Sequence, residues 1–199
     1  MTVKLNCSSS GSVALSAPAS TALGADVVLN LPSHAGSLDR LERAGNILQV
    51  VNAETTTSVS SSDENNYVDT TLSATITPTA ASNKILILVN QSFYSFQAGT
   101  YAYNGIKVFR GSQEIYVPNE GAAPSTVGSY DFGIGSSSIA QTVYYDKANI
   151  TLLDSPNTTS AVTYKTMGRP YGASDVTYQL SGGGSGRNKS TITLIEVAA

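Results

Sequence analysis

The sequence has no tryptophan, one cysteine (Cys7) and one histidine (His34). A single cysteine excludes an intrachain disulfide, so stability must come from a packed core and from contacts between copies. One cysteine and one histidine do not make a zinc site. A Ser–His nucleophile pair would have to use His34, which lies in a Pro-Ser-His-Ala-Gly linker with no oriented partner nearby in sequence. Charge is scarce as well. Asp, Glu, Lys and Arg make up 13% of the chain, about half the usual share of roughly 25%. A net charge of −3, with no run of Lys or Arg, excludes a nucleic-acid binder that works by neutralising phosphates. No stretch approaches the ~20 apolar residues of a membrane span, so no membrane insertion is expected. The opening Met1-Thr-Val-Lys-Leu-Asn6 lacks the apolar centre of a signal peptide, and none is expected.

Hydrophobic residues are 41% of the chain, enough for a core. The missing charge is replaced by Ser, Thr, Asn and Gly, a surface with little self-repulsion that can pack closely against copies or partners. Asn-x-Ser/Thr triplets begin at Asn6, Asn90, Asn149, Asn157 and Asn188. In a chain of this composition, without a signal peptide, they read as chance.

The segment from Tyr67 to Phe96 organises the rest. Leu72, Ala74 and Ile76 alternate with Ser73, Thr75 and Thr77, the period of a strand with one buried face. Pro78 ends it, and Thr79 to Asn83 make a turn. Ile85 to Val89 is apolar at every position and predicts a strand buried on both faces. Ahead of this nucleus, Val3 and Leu5, Val13 and Leu15, and Val27, Leu29 and Leu31 mark three short strands that bury too little to stand alone. Ser37 to Gly45 is the one segment that reads as a helix, with Ser37 as its cap and Gly45 as its stop. Thr55 to Asn66 reads as a surface loop. Alternation at Tyr130 to Ile134, Ile139 to Val143, Val162 to Thr166, Val176 to Leu180 and Thr191 to Val197 adds further strands, with Gly168-Arg-Pro170 as an interruption. Gly105 to Val117 forms a hairpin around Gly111. Roughly eight to ten strands after residue 46, with turn signals between them, predict an all-β antiparallel sandwich of jelly-roll type. The expected domains are an N-terminal β-rich anchoring arm and linker, 1–46, and a sandwich head, 47–199.

Few residues suggest chemistry. Ser181 to Ser190 is glycine-rich, but Asn188 stands before Lys189 and a strand follows, so it is not a phosphate loop. Asp63, Glu64, Asn65 and Asn66 lack the spacing of a calcium loop. Asp131, Asp146, Asp154 and Asp175 are scattered, with no sign of a paired acid and base. No catalytic residue, metal or cofactor is expected. The eleven tyrosines are more telling. Strand tyrosines fill sheet faces. Tyr101, Tyr103 and Tyr171 read as loop tyrosines able to present rings to a receptor or a neighbouring subunit.

The chain also resembles a family of small structural proteins of marine tailed phages, of the tail-fibre, head-fibre or decoration type. The likeness is carried by Gly45-Asn-Ile-Leu-Gln-Val-Val51, Tyr67 to Pro78, Ala81 to Ile87, Phe109-Arg-Gly-Ser112, Leu153 to Tyr164 and Ser190 to Val197. Ser9 to Leu15 and Val28 to Pro32 are similar to the β-rich lead-in of such modules. The resemblance implies a non-enzymatic virion protein made in the host cytoplasm and carried on the virion surface. It would be docked through its N-terminal arm (Val3, Leu5, Val13, Leu15, Val27, Leu29, Leu31) onto capsid, tail or adaptor proteins. A weakly charged all-β chain with a lead-in that cannot bury itself suits a homo-oligomer, a trimer by preference since many such spikes are trimers, and a part in host attachment through a receptor such as a surface glycan is expected. A capsid decoration protein and a carbohydrate-binding module are the alternatives, and a long shaft is missing.

Overall fold

A computed structural model describes residues 2–6, 12–16, 43–97, 101–116, 132–135, 142–171, 174–180 and 188–199. The chain divides into two compact units, Met1–Asp39 and Arg40–Ala199. In the first, β1 (Thr2–Asn6) and β2 (Ser12–Ser16) form an antiparallel hairpin. Val3 pairs with Leu15 and Leu5 with Val13, two apolar rungs with the Lys4–Ala14 rung between them. Val27, Leu29, Leu31 and most of the expected helix lie outside the described residues. Residues 43–46 form a turn in which the Asn46 amide donates to the Arg43 carbonyl and Gly45 takes a φ of 88°.

The second unit is all-β, with its strands in two antiparallel sheets and no helix among the described residues. In chain order the strands are β3 (Ile47–Thr55), β4 (Val59–Ser61), β5 (Val68–Ile76), β6 (Lys84–Gln97), β7 (Tyr101–Arg110), β8 (Gln113–Tyr116), β9 (Phe132–Gly135), β10 (Thr142–Asp154), β11 (Val162–Tyr171), β12 (Ser174–Tyr178) and β13 (Ser190–Val197). Strand β6 is the axis of the first sheet. One of its edges carries β10 along almost the whole length, and the other carries β13 on its first half and β12 on its second. Beyond these lie β3, paired with β13, and β4, paired with β12. The second sheet runs β5, β11, β7, with β8 and β9 sharing the far edge of β7. Taken as pairs, β3/β4 with β13/β12, β5 with β11, β6 with β10 and β7 with β8/β9 describe one long hairpin folded over on itself. That is the jelly-roll path expected from the sequence.

The core lies where alternation puts it. Leu72, Ala74 and Ile76 from β5 meet Ile85, Ile87 and Val89 from β6, Ile192 and Leu194 from β13, and Ile106 and Val108 from β7. A polar cluster is buried as well. Thr70, Gln91, Thr166, Ser190 and Gln179 are buried and bonded together: Thr166 Oγ1 donates to Gln91 Oε1 at 2.9 Å, and Gln91 Nε2 donates to Ser190 Oγ at 3.1 Å. Cross-links tie the sheets. Arg110 Nη1 of β7 donates to both carboxylate oxygens of Asp154 in β10, at 3.0 and 2.9 Å, and Tyr164 of β11 donates to Asp154 Oδ2 at 2.7 Å. Glu196, fully buried, accepts from Asn83 Nδ2 and from the amide and hydroxyl of Thr79, joining β13 to the β5–β6 turn.

Several expectations need correction. Residues 59–61, read as loop, form β4, because β12 offers them a partner edge and Val59 packs on the core. Gly168-Arg-Pro170 does not interrupt β11. Strand β5 pairs only as far as Gly168, so Pro170 has a single partner strand and its missing N–H leaves no ladder position unfilled on that side. Ile85 to Val89 is not buried on both faces. Ile85, Ile87 and Val89 point into the core, whereas Leu86 is half-buried and Leu88 is 37% exposed on an uncovered outer face.

Candidate functional site

The outer face of the first sheet carries two features at opposite ends of β6. The first is an apolar row. Val50 of β3 pairs with Ile195 of β13, Ile195 with Leu86 of β6, and Leu86 with Leu153 of β10. Four aliphatic side chains thus stand abreast across four strands, with Ile47 and Leu88 beside them. Val50 is 57% exposed, Leu153 56% and Ile47 61%. The adjoining polar rungs satisfy themselves: Asn52 Nδ2 donates to Thr193 Oγ1 at 2.8 Å, and Asn90 Nδ2 to Asn149 Oδ1 at 2.6 Å.

The second feature is a cleft of about 380 Å³ at the other end, lined by Ser60, Ser61, Ser62, Tyr94, Phe96, Asp175 and Thr177. Pairing builds it. Tyr94 of β6 is opposite Thr177 of β12 on one side and Tyr145 of β10 on the other, and Phe96 is opposite Asp175. Thr177 in turn pairs with Ser60 of β4, their hydroxyls 2.8 Å apart. The Tyr94 and Tyr145 rings are 5.1 Å apart at a tilt of 53°, within the range of favourable aromatic pairs. Burial pushes the Tyr94 phenol up from its ordinary value, helped by Tyr145 and the negative charge of Asp175. It stays a protonated donor at neutral pH.

The other candidates from the sequence fall elsewhere. Tyr101 and Tyr103 lie in β7 and Tyr171 in β11, so they are strand residues, not loop residues. The fold places Tyr103 opposite Tyr171, with Tyr101 two positions along. Neither pairing reaches the cleft residues. His34 and residues 181–187 lie outside the described residues, while Lys189 pairs with Glu54 at 2.8 Å. Asp63 accepts from the Asn65 and Asn66 amides and from Asn66 Nδ2, and these bonds, that of the Asn66 side chain foremost, hold its carboxyl below the usual range. Its oxygens cap a turn. Asp154 is held by Arg110 and Tyr164, and Asp146 lies eight residues away along β10, roughly 26 Å in an extended strand. Among the described residues no three His, Cys, Asp or Glu side chains converge as a metal site would need.

The cleft was missed because Asp175, Ser60 and Tyr94 belong to three segments far apart in sequence. One local signal pointed to it. With Phe93 buried, Tyr94 and Phe96 fall on the wet side of β6, and two aromatics there are not core residues.

Comparisons with known proteins add little. No protein-family model and no curated protein matches the chain. Among solved structures, a chain from infectious bursal disease virus, Gx strain, aligns over 94% of this chain and 46% of its own length, at 14% identity and a TM-score of 0.28. A chain from the Gt strain aligns over the same shares at 15% identity and a TM-score of 0.23. This chain thus spans under half of those it matches. Likenesses at such scores carry no argument about function.

Proposed function

We propose that this protein is a non-enzymatic virion surface protein of a tailed phage, a short fibre or spike module that assembles as a homo-oligomer and contributes to host attachment. The observation that carries the reading is the row Val50–Ile195–Leu86–Leu153. A continuous apolar run such as Ile85 to Val89 normally serves a strand covered on both sides. Here one side is bare in the single chain, on a protein with few charges to oppose association. Covering aliphatic surface at about 25 cal/mol per Å² favours a partner over water. The polar neighbours Asn52, Thr193, Asn90 and Asn149 already bond in pairs, so part of their hydrogen-bonding capacity is met before a partner covers them. The resemblance to phage fibre and head-fibre modules supplies the setting. In it the hairpin of Val3, Leu5, Val13 and Leu15 docks on other virion proteins and the jelly roll faces outward.

Sedimentation of the full chain at micromolar concentration tests the assembly: a trimer is expected, and a stable monomer counts against it. Antibody labelling of intact particles tests the setting. Label on the tail supports attachment, a regular array on the shell supports the decoration alternative, and unlabelled particles overturn both.

A further inference from the structure

We propose that the cleft between β4, β12 and β6 binds an uncharged saccharide, with Tyr94 and Phe96 as its aromatic platform and Asp175, Thr177 and Ser60 as its hydrogen-bonding rim. A pyranose ring has a C–H face and a rim of hydroxyls. The C–H face needs a flat, electron-rich apolar surface, and the hydroxyls need acceptors and adaptable donor–acceptors. Both are present in register. Tyr94 and Phe96 are two residues apart on the wet face of β6, half-buried and fixed by the strand. Asp175, exposed and opposite Phe96, can only accept, which suits a pair of sugar hydroxyls. The Thr177 and Ser60 hydroxyls are bonded to each other, which leaves one proton to donate and lone pairs on both oxygens to accept. About 380 Å³ is small among ligand clefts, which run from roughly 300 to 1,000 Å³, and fits a short terminal segment of a glycan.

The charge of the lining narrows the class. Asp175 is the only Asp, Glu, Lys, Arg or His among the lining residues. A sialylated, sulfated or phosphorylated sugar would bring a second negative charge beside it with no cation to receive it, so neutral sugars are favoured. The same charge disfavours a nucleic acid. An apolar ligand would leave the Asp175 carboxylate facing it without a donor. Binding at one such shallow site is weak, and several copies in one oligomer would raise the avidity without a new contact.

The inference rests on the virion reading only for the source of the sugar, a host surface. The test uses the full chain on immobilised neutral gluco-, galacto- and manno-oligosaccharides beside their sialylated and sulfated counterparts. Retention of at least one neutral oligosaccharide is expected, falling tenfold or more in both Tyr94→Ala and Asp175→Asn. Glu114→Gln, on the other sheet, serves as the control and retains binding. Asp175 is exposed, so its variant keeps the fold, and matching thermal unfolding with wild type confirms it. Tyr94→Phe keeps the ring and is expected to retain more binding than Tyr94→Ala. No retention of any neutral sugar, retention of acidic sugars alone, or undiminished retention by Tyr94→Ala and Asp175→Asn overturns the proposal. Failure to bind sugar in a protein that decorates particles removes this inference alone, whereas sugar binding by a protein absent from particles removes the virion reading alone.

Discussion

Gly168 of β11 and Tyr178 of β12 meet across the sandwich, and the Tyr178 hydroxyl occupies the space that a side chain at residue 168 would fill. That hydroxyl donates to Asn104 Oδ1 at 2.8 Å, so the tyrosine is pinned at its tip and cannot swing aside. The two sheets approach this closely only because residue 168 has no Cβ. The requirement is one of contact, since Gly168 is not among the residues with a positive φ.

Gly168→Ala is therefore expected to destabilise the fold by overpacking, at about 1–3 kcal/mol. Urea unfolding would show a lower midpoint with an unchanged slope. A Cβ at residue 168 would meet the end of the ring as well as the hydroxyl, so in a Tyr178→Leu background, where both are gone, the penalty for Gly168→Ala should shrink, a non-additivity that a double-mutant cycle reads directly.

Glu196 sets the acid limit. Burial alone would raise its pKa, but hydrogen bonds from Asn83, Gln49 and Thr79 outweigh burial and lower it below its ordinary value of 4.5. A lowered folded pKa gives stability that is fully present above the unfolded value and lost as pH falls through the folded one. Glu196→Gln places an amide N–H₂ against donors and is expected to lose about 2 kcal/mol at neutral pH. The gap between wild type and variant should be flat above pH 5 or so and narrow below about 4.5, read from urea midpoints across the series.

Tyr164 and Tyr178 set the alkaline limit. Burial is the main cause that pushes both phenols far above their ordinary value of 10.0, and the Asp154 carboxylate adds to it at Tyr164. The unfolded chain loses these protons near pH 10 while the folded chain holds them, so stability falls as pH rises beyond that point. Tyr164→Phe should cost about 1–2 kcal/mol at neutral pH through the lost bond to Asp154, yet give a shallower decline above pH 10. Thermal unfolding between pH 8 and 11 would show it.

Val50→Lys and Leu153→Lys probe the apolar row. Both residues are more than half exposed, so a lysine is accommodated in the folded subunit, with a stability change of about 0.5 kcal/mol or less. If the row is covered by a neighbouring copy, each substitution buries a charge at the interface, and the pair should shift the protein to monomer in sedimentation at micromolar concentration. Retained assembly in the double variant would place the contact elsewhere.

Much of the fold was legible residue by residue. Leu72, Ala74 and Ile76, and Ile192 and Leu194, point inward as their period of two requires, because alternation along a strand is local geometry. The turn from Thr79 to Asn83 follows from residue type for the same reason. Ile85 to Val89 was legible as strand but not in its covering, since whether a face is covered depends on what packs there. The placement of Tyr101, Tyr103 and Tyr171 was misread because loop and strand differ there only by the pairing of β7 with β9 and β11.

Pairing is what composition and periodicity could not supply. Val50, Leu86, Leu153 and Ile195 form one row, and Tyr94 faces Thr177 with Asp175 beside Phe96, only because β6 receives β13, β12 and β10 in one particular register. A slip of one residue would keep every local preference nearly intact and turn each of those side chains to the opposite face. The sequence by itself determined that the chain is a two-layer β protein with few charges. The long-range register, chosen by the collective packing of both sheets, decided which side chains share a surface and so what that surface can hold.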